Sequence, residues 1–276
     1  MINFNKISKL FLVIALTYLL AACSPVIGTG RSQLNLVSDA EINEMAAAQY
    51  SELLKESHLS SDRKKSSLIK KVGARISQAA KRMMDEYGRS QEIDNFKWEF
   101  NLIDSEEVNA FCMPGGKVAF YTGILDVCES EAGIAAVMGH EVAHALARHG
   151  NERVSQQMMA GLGGNLLNIG LQLGGVSTGT YELAMTAFTL GAQYGVLLPY
   201  SRAHESEADR LGMVLMSMAG YDPQEAIDLW VRMGKLSDRG GVPYFLSTHP
   251  SDSQRIKNLE KYLPDAKAKF TAYTGK

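Results

Sequence analysis

Neither sign of charge dominates this chain: 28 Lys and Arg stand against 30 Asp and Glu in 276 residues, a formal net charge of −2. With no basic block or stripe there is no electrostatic footprint for nucleic acid, which excludes that class of partner. Aromatic residues are scarce, at 8%, and are not interleaved with Arg or Lys, so base-stacking platforms are excluded too. Apolar residues nevertheless make up 46% and recur throughout, which excludes disorder and suits one globular domain with a real core. Cysteine is limited to three residues, an odd number. The apolar run Leu10 to Ala22 has thirteen residues, short of the roughly 20 that span a bilayer.

Lys6 and Lys9 precede that run, so residues 1–22 have the pattern of a secretory signal. The run ends Leu20-Ala21-Ala22-Cys23, which resembles a bacterial lipoprotein box. That resemblance implies cleavage before Cys23 and acylation of it, and Ser24 in the next position implies the periplasmic face of the outer membrane. An ordinary secretory signal is the plainer alternative. Residues 23–37, with Pro25, Gly28 and Gly30, then form a tether. Acylation of Cys23 leaves Cys112 and Cys128. Either they pair in an oxidising compartment, closing a short loop worth about 3 kcal/mol, or they are two buried free thiols.

Downstream, helical signals prevail over residues 38–276. Ser38 and Glu41 form a capping box opening a helix to about Ser57. A second helix is expected from about Asp62 to Tyr87, with Leu68, Ile69, Val72, Ile76, Ala80 and Met83 on one stripe. Two strands are expected, Phe96 to Ile103 and the part of Asn109 to Thr122 that follows the turn Pro114-Gly115-Gly116. Glu131 to His149 has the pattern of a buried helix. Residues 154–198 carry Glu182 as their one charge and repeat Gly at spacings such as Gly170/Gly174 and Gly191/Gly195. They fit a helical hairpin that either packs on the domain or touches a membrane. Further helices are expected over about Ala203 to Ala219, from Pro223 to about Leu236 behind an Asp222 cap, and over about Ser251 to Leu263, stopped by Pro264.

The chemistry resides in His140-Glu141-Val142-Ala143-His144. On a helix, residues four apart differ by about 40° in direction, so both imidazoles leave one face. Two neutral imidazoles can then grip one Zn²⁺ at about 2.0–2.1 Å. Glu141 flanks that face, where its carboxylate reaches a water on the metal rather than the metal itself. His149 lies about 140° round the helix from His144, so it reads as a structural or capping residue. The third ligand is sought in Ser201 to Asp209, where Glu205 and Asp209 share a face: one carboxylate for zinc, one behind it to orient a ligand histidine. Glu207, across the helix, is left to solvent or a salt bridge.

These motifs together resemble the gluzincin metallopeptidases of the HtpX and CAAX prenyl-protease family, in particular their periplasmic lipoprotein members. His140 to His144 looks like the family's zinc helix and Glu205 to Asp209 its E-x-x-A-D. Asn109-Ala110-Phe111 with Pro114-Gly115-Gly116 is similar to its substrate-edge strand, and Thr248-His249-Pro250 with Arg255-Ile256 is a weaker match. The resemblance implies a predominantly helical α+β zincin with a small sheet, one Zn²⁺ per chain held by His140, His144 and Glu205, Asp209 behind them, and Glu141 as general base. It also implies that Asn109 and Arg255 bind substrate, and that His249 is either an oxyanion donor or a resting-state fourth ligand. The implied activity is endoproteolysis of unfolded or misassembled outer-membrane proteins, in company with assembly machinery or other periplasmic proteases. A chaperone-like assembly factor with gated proteolysis, or a closed zinc scaffold, are the alternatives.

Overall fold

The computed structural model describes residues 22–192, 198–237, 244–249 and 253–275; the expected signal segment through residue 21, Gly195 and Pro250 lie outside them. In chain order come strands β1 (Cys23–Pro25) and β2 (Ser32–Leu34), helices α1 (Asp39–Glu56) and α2 (Arg63–Glu86), and strands β3 (Glu99–Ile103), β4 (Ala110–Met113) and β5 (Lys117–Tyr121). Helices follow: α3 (Thr122–Cys128), α4 (Glu131–Leu146), α5 (His149–Leu173), α6 (Thr178–Ala192), α7 (Leu198–Met218), α8 (Gln224–Ser237), α9 (Tyr244–Thr248) and α10 (Ser253–Thr274). This is the helix-rich α+β class expected. The chain divides into two compact units, Met1–Ser38 with Asn151–Tyr200 and Asp39–Gly150 with Ser201–Lys276, where one domain behind a tether was expected.

In the first unit β1 and β2 pair antiparallel, Cys23 opposite Leu34. Residues 23–34 are therefore a hairpin, not a tether. Gly28 and Gly30 take positive φ and turn the chain back. Val26 and Ile27 are buried, and Arg31 grips the buried Glu152 carboxylate through two hydrogen bonds of 2.8 and 2.7 Å. The Gly-rich helical hairpin is present as α5 beyond Asn151 and α6. Its close contact is at Gly163 and Gly164, where a Cβ would meet the Phe188 ring at 3.2 and 3.4 Å, while Gly170 faces open space. Among the described residues no helix is long and apolar enough to cross a membrane.

The second unit is built round α4. Thirteen of its sixteen residues are buried, so it presents no polar face to water. Helices α2, α3 and α8 pack on it and β4 runs along it. Ser130 caps its start by accepting from the Gly133 N–H at 2.9 Å. From α2, Ile69, Val72, Ile76, Ala80 and Met83 enter the core at the expected helical spacing.

The sheet has the order β3-β5-β4, with β3 parallel and β4 antiparallel to β5. Three strands thus stand where the sequence indicated two, because Pro114-Gly115-Gly116 is the turn of a hairpin, with φ of 77° and 82° at its glycines. Residues 58–60 cover the outer edge of β3, where the Ser60 N–H donates to the Leu102 carbonyl at 2.8 Å. The outer edge of β4 has no strand partner among the described residues. Pro264 does not end the last helix, since α10 continues through it to Thr274. The second half has its own anchors: Ala266 is fully buried, and Lys269 and Tyr273 both donate to the Glu86 carboxylate.

Helix α7 meets α4 at two glycines. A Cβ on Gly212 would lie 2.8 Å from the His140 nitrogen, and one on Gly139 would lie 2.8 Å from the Gly212 carbonyl oxygen. Backbone touches backbone there, a contact that any side chain would prevent. We expect Gly212→Ala to destabilise the protein by about 1–3 kcal/mol through overpacking. Thermal unfolding checks this against Gly161→Ala, where the new methyl meets nothing within 4 Å. That control should melt no lower than wild type. Equal melting temperatures for the two variants would remove the contact from its pivotal place.

Candidate metal centre

The glycine contact sets the distance between α4 and α7, and with it the meeting of their polar side chains. His140 and His144 project together from α4, their Nε2 atoms 3.1 Å apart. From α7, Glu205 Oε2 lies 3.4 Å from His140 Nε2, and Glu205 Oε1 lies 3.4 Å from His144 Nε2. His249, at the end of α9, adds its Nδ1 at 3.2 Å from His140 Nε2 and 2.9 Å from Glu205 Oε2. The four residues offer ligand atoms that all lie within 4.8 Å of one another, a potential metal site.

The donor set fits zinc on its own chemistry. A tetrahedral ion with bonds of about 2.0–2.1 Å has ligand atoms roughly 3.3–3.4 Å apart. The separations above, 2.9–3.4 Å, are close to that edge length. Two imidazole nitrogens and a carboxylate converging in a buried site can share either a proton or a metal ion, and the separations suit the ion.

Charge in the cluster points the same way. Burial works against ionised Glu205, but the His144, His140 and His249 imidazoles outweigh it and hold its carboxyl well below the usual range. Burial pulls His140 down, yet its hydrogen bonds with Asp209 and Glu205 prevail and raise it to about 9. Burial dominates at His144 and holds it well below the usual imidazole value, despite attraction from Glu205. The arrangement keeps an anion at Glu205 and favours one positive charge beside it.

Asp209 stands behind the ligands, one turn after Glu205. Its Oδ1 lies 3.0 Å from His140 Nδ1 and accepts from Arg255 Nη2 at 2.6 Å. Arg255 Nη1 also lies 3.2 Å from Glu205 Oε2, and its guanidinium sits 3.3 Å from the centre of the Trp230 ring. Arg255 was expected to bind substrate. It is only 5% exposed and its guanidinium is engaged with the two carboxylates, so it braces the site from behind. Trp230 meets His140 edge-on at 5.6 Å and stacks on Phe245, which in turn stacks on His249. Nothing in the sequence marked Trp230, whose place depends on α8 packing against α4.

Glu141 lies beside the cluster, and burial raises its carboxyl above the ordinary range despite the opposing imidazoles of His249 and His140. Its Oε1 is buried without a hydrogen-bond partner, and His249 Nε2 is 3.6 Å away. A buried orphan carboxylate oxygen is costly and marks a place where a reacting group can be received. Strand β4 passes nearby, since the charge of Glu141 adds to burial in pushing the Cys112 thiol up.

Two other expectations change. Asn109, expected on the substrate backbone, is buried just before β4, with its side-chain amide donating to Glu107 at 2.9 Å and its carbonyl accepting from Tyr121. Cys112 and Cys128 are free thiols, not a disulfide. Cys112 is held opposite Val118 by the β4–β5 ladder, and Cys128 closes α3. Burial pushes both thiols up.

His149 does not point away. The α4 helix ends at Leu146, and Arg148 takes a left-handed φ of 61°, which swings His149 back towards His144. Its Nδ1 lies 2.8 Å from His144 Nδ1, and its Nε2 lies 3.0 Å from Glu207 Oε2. Glu207, expected in solvent or in a salt bridge, is only 6% exposed and pairs with His149.

Residues 70–263 match the sequence profile described as peptidase family M48. Mitochondrial metalloendopeptidase OMA1 of Schizosaccharomyces pombe is 39% identical over 195 residues, 70% of this chain and 54% of that protein. The protein of the same name from Saccharomyces cerevisiae is 41% identical over 182 residues, 63% of this chain and 49% of its own. The β-barrel assembly-enhancing protease of Escherichia coli is 28% identical over 169 residues, 58% of this chain and 33% of its own. The chain spans about half the length of the two mitochondrial relatives. In place of the HtpX and CAAX prenyl-protease resemblance, the relatives found are these metallopeptidases. They also overturn the lipid-anchored outer-membrane address read from Cys23, because the relatives at 39% and 41% identity are mitochondrial by name. The matched profile covers well over half of the sequence and both site helices, so the chain belongs to peptidase family M48.

Proposed function

We propose that His140, His144 and Glu205 hold one Zn²⁺, that His249 is the fourth donor of a resting state, and that the enzyme cleaves extended stretches of unfolded or misassembled proteins. The observation that carries this is the set of four ligand atoms within 4.8 Å, with the orphan Glu141 oxygen beside it. A bound zinc supplies Lewis acidity towards a peptide carbonyl and an attacking water. Glu141 takes the proton of that water and passes it to the departing amine, a role suited to a carboxylate whose burial raises its basicity. Asp209 holds His140 through Nδ1, so that Nε2 faces the ion.

Substrate class follows from the sheet. Among the described residues the outer edge of β4 has no strand partner and lies beside α4, and a peptide is read there by adding a strand. Only a chain locally unfolded can do so. The name of the Escherichia coli relative, a β-barrel assembly-enhancing protease, supports misassembled β-barrel proteins as one such source of strands.

His249 favours one refinement over a freely running protease. Its Nδ1 takes a corner of the donor set and its Nε2 faces Glu141, so it stands where water and substrate must come. Proteolysis gated by His249, with binding of assembly intermediates in the closed state, is the second reading that this geometry favours.

Glu141→Gln should retain zinc, measured by elemental analysis, and lose cleavage of a casein-type unfolded substrate by about 10²–10⁴-fold. Full activity in that variant would refute the base assignment. His249→Ala should bind zinc more weakly and cleave faster than wild type at saturating zinc; slower cleavage would make His249 an oxyanion donor instead. Asp209→Ala deprives buried Arg255 of one of its two carboxylates and should lower stability by about 3 kcal/mol in urea unfolding. An unchanged midpoint would show that Glu205 alone suffices for Arg255.

A further inference from the structure

Each imidazole of α4 has a second nitrogen turned away from the cluster. That of His140 meets Asp209. That of His144 meets no carboxylate directly: its Nδ1 is 2.8 Å from His149 Nδ1, and His149 Nε2 is 3.0 Å from Glu207 Oε2. We infer that Glu207 and His149 are positioning residues for the metal site, acting in series to fix the tautomer and orientation of His144; this rests on the zinc reading above.

The proton assignment has one consistent form. For Nε2 of His144 to face a cation it must be unprotonated, so the proton sits on Nδ1 and is donated to His149 Nδ1. His149 then carries its own proton on Nε2 and donates it to Glu207. In this form each ring nitrogen of the row has a partner, and the row ends on a buried carboxylate. Packing holds both residues in place. His149 is 1% exposed and stacks on His204 with centroids 4.2 Å apart and 14° between planes, and Glu207 is 6% exposed. No surface salt bridge has this burial, and a helix-capping histidine has no need of a neighbouring imidazole as partner.

The backbone is shaped to make the row. A regular helix would send residue 149 about 140° away from residue 144. The left-handed turn at Arg148 removes that constraint. Such a φ in a non-glycine residue is unfavourable, and Arg148 is secured by ion pairs with Asp39 and with Glu92, the latter at 3.4 Å.

Three full-length variants and the wild type, each stripped of metal, test the inference by zinc titration against a chromophoric chelator and by the visible spectrum of the Co²⁺-loaded protein. His149→Phe keeps a ring for the His204 stack but cannot accept from His144. It should lower zinc affinity about 10–100-fold and shift the cobalt bands. His149→Asn places an acceptor oxygen near the lost Nδ1 and should recover most of the affinity, which a purely structural role for the ring would not produce. His144→Ala should lose zinc altogether. Wild-type zinc affinity and cobalt spectrum in His149→Phe, with loss in His144→Ala, would overturn the role of His149 and Glu207 while leaving the zinc reading intact. Retention of zinc in His144→Ala would overturn the zinc reading and this inference with it.

Discussion

Two glycines decide where the chemistry sits. Gly139 and Gly212 let α4 and α7 touch through their backbones, one residue away from His140. A glutamate is short for bridging ordinary helices, whose axes run about 8–10 Å apart. At this crossing Glu205 can place both of its oxygens 3.4 Å from the two imidazoles. Asp209, one turn on, lands behind His140 by the same geometry. The contact therefore fixes Glu205 and Asp209 together, and it explains why α4 is buried on every side: its polar residues face other protein, not water.

Burying so many ionisable groups carries a cost that only mutual pairing offsets. Glu141, Glu205, Glu207 and Asp209 are all nine-tenths or more buried. Arg255 supplies one positive charge to two of them, and the imidazoles share the remainder. Isolated, any of these carboxylates would take up a proton. Burial raises the Glu141 carboxyl above its ordinary range, and one of its oxygens has no hydrogen-bond partner. The site is divided accordingly between carboxylates held by partners and one with an oxygen left without a hydrogen bond.

Local geometry was legible from the sequence, and long-range geometry only where a local pattern carried it. His140 and His144 could be paired because a spacing of four is a property of the helix itself, and so could Glu205 and Asp209. The α2 stripe is equally local. The failures share a different cause. Arg255 and Asn109 were assigned to the substrate without knowledge of their burial, which depends on Trp230 and on the start of β4. Pro264 has the pattern of a stop, but tertiary contacts of Ala266, Lys269 and Tyr273 carry the helix past it. The β1–β2 hairpin has the composition of a tether, and the Arg31–Glu152 pair that secures it joins residues 121 positions apart.

His149 is the sharpest of these cases, because the helical rule is sound and the helix simply ends first. The outer nitrogens of His140 and His144 meet different partners, Asp209 and His149. Asp209 of α7 serves His140. His144 lies at the far end of α4, where a partner must come either from another element or from the chain's own next residues turned back on themselves. A single left-handed residue accomplishes the second, at a conformational cost of about 1–3 kcal/mol. A glycine at 148 would make that turn without strain but could not offer the charge that meets Asp39 and Glu92. Arg148 accepts the strain and gains two anchors, which hold the turn in the one conformation that brings His149 to within 2.8 Å of the ligand.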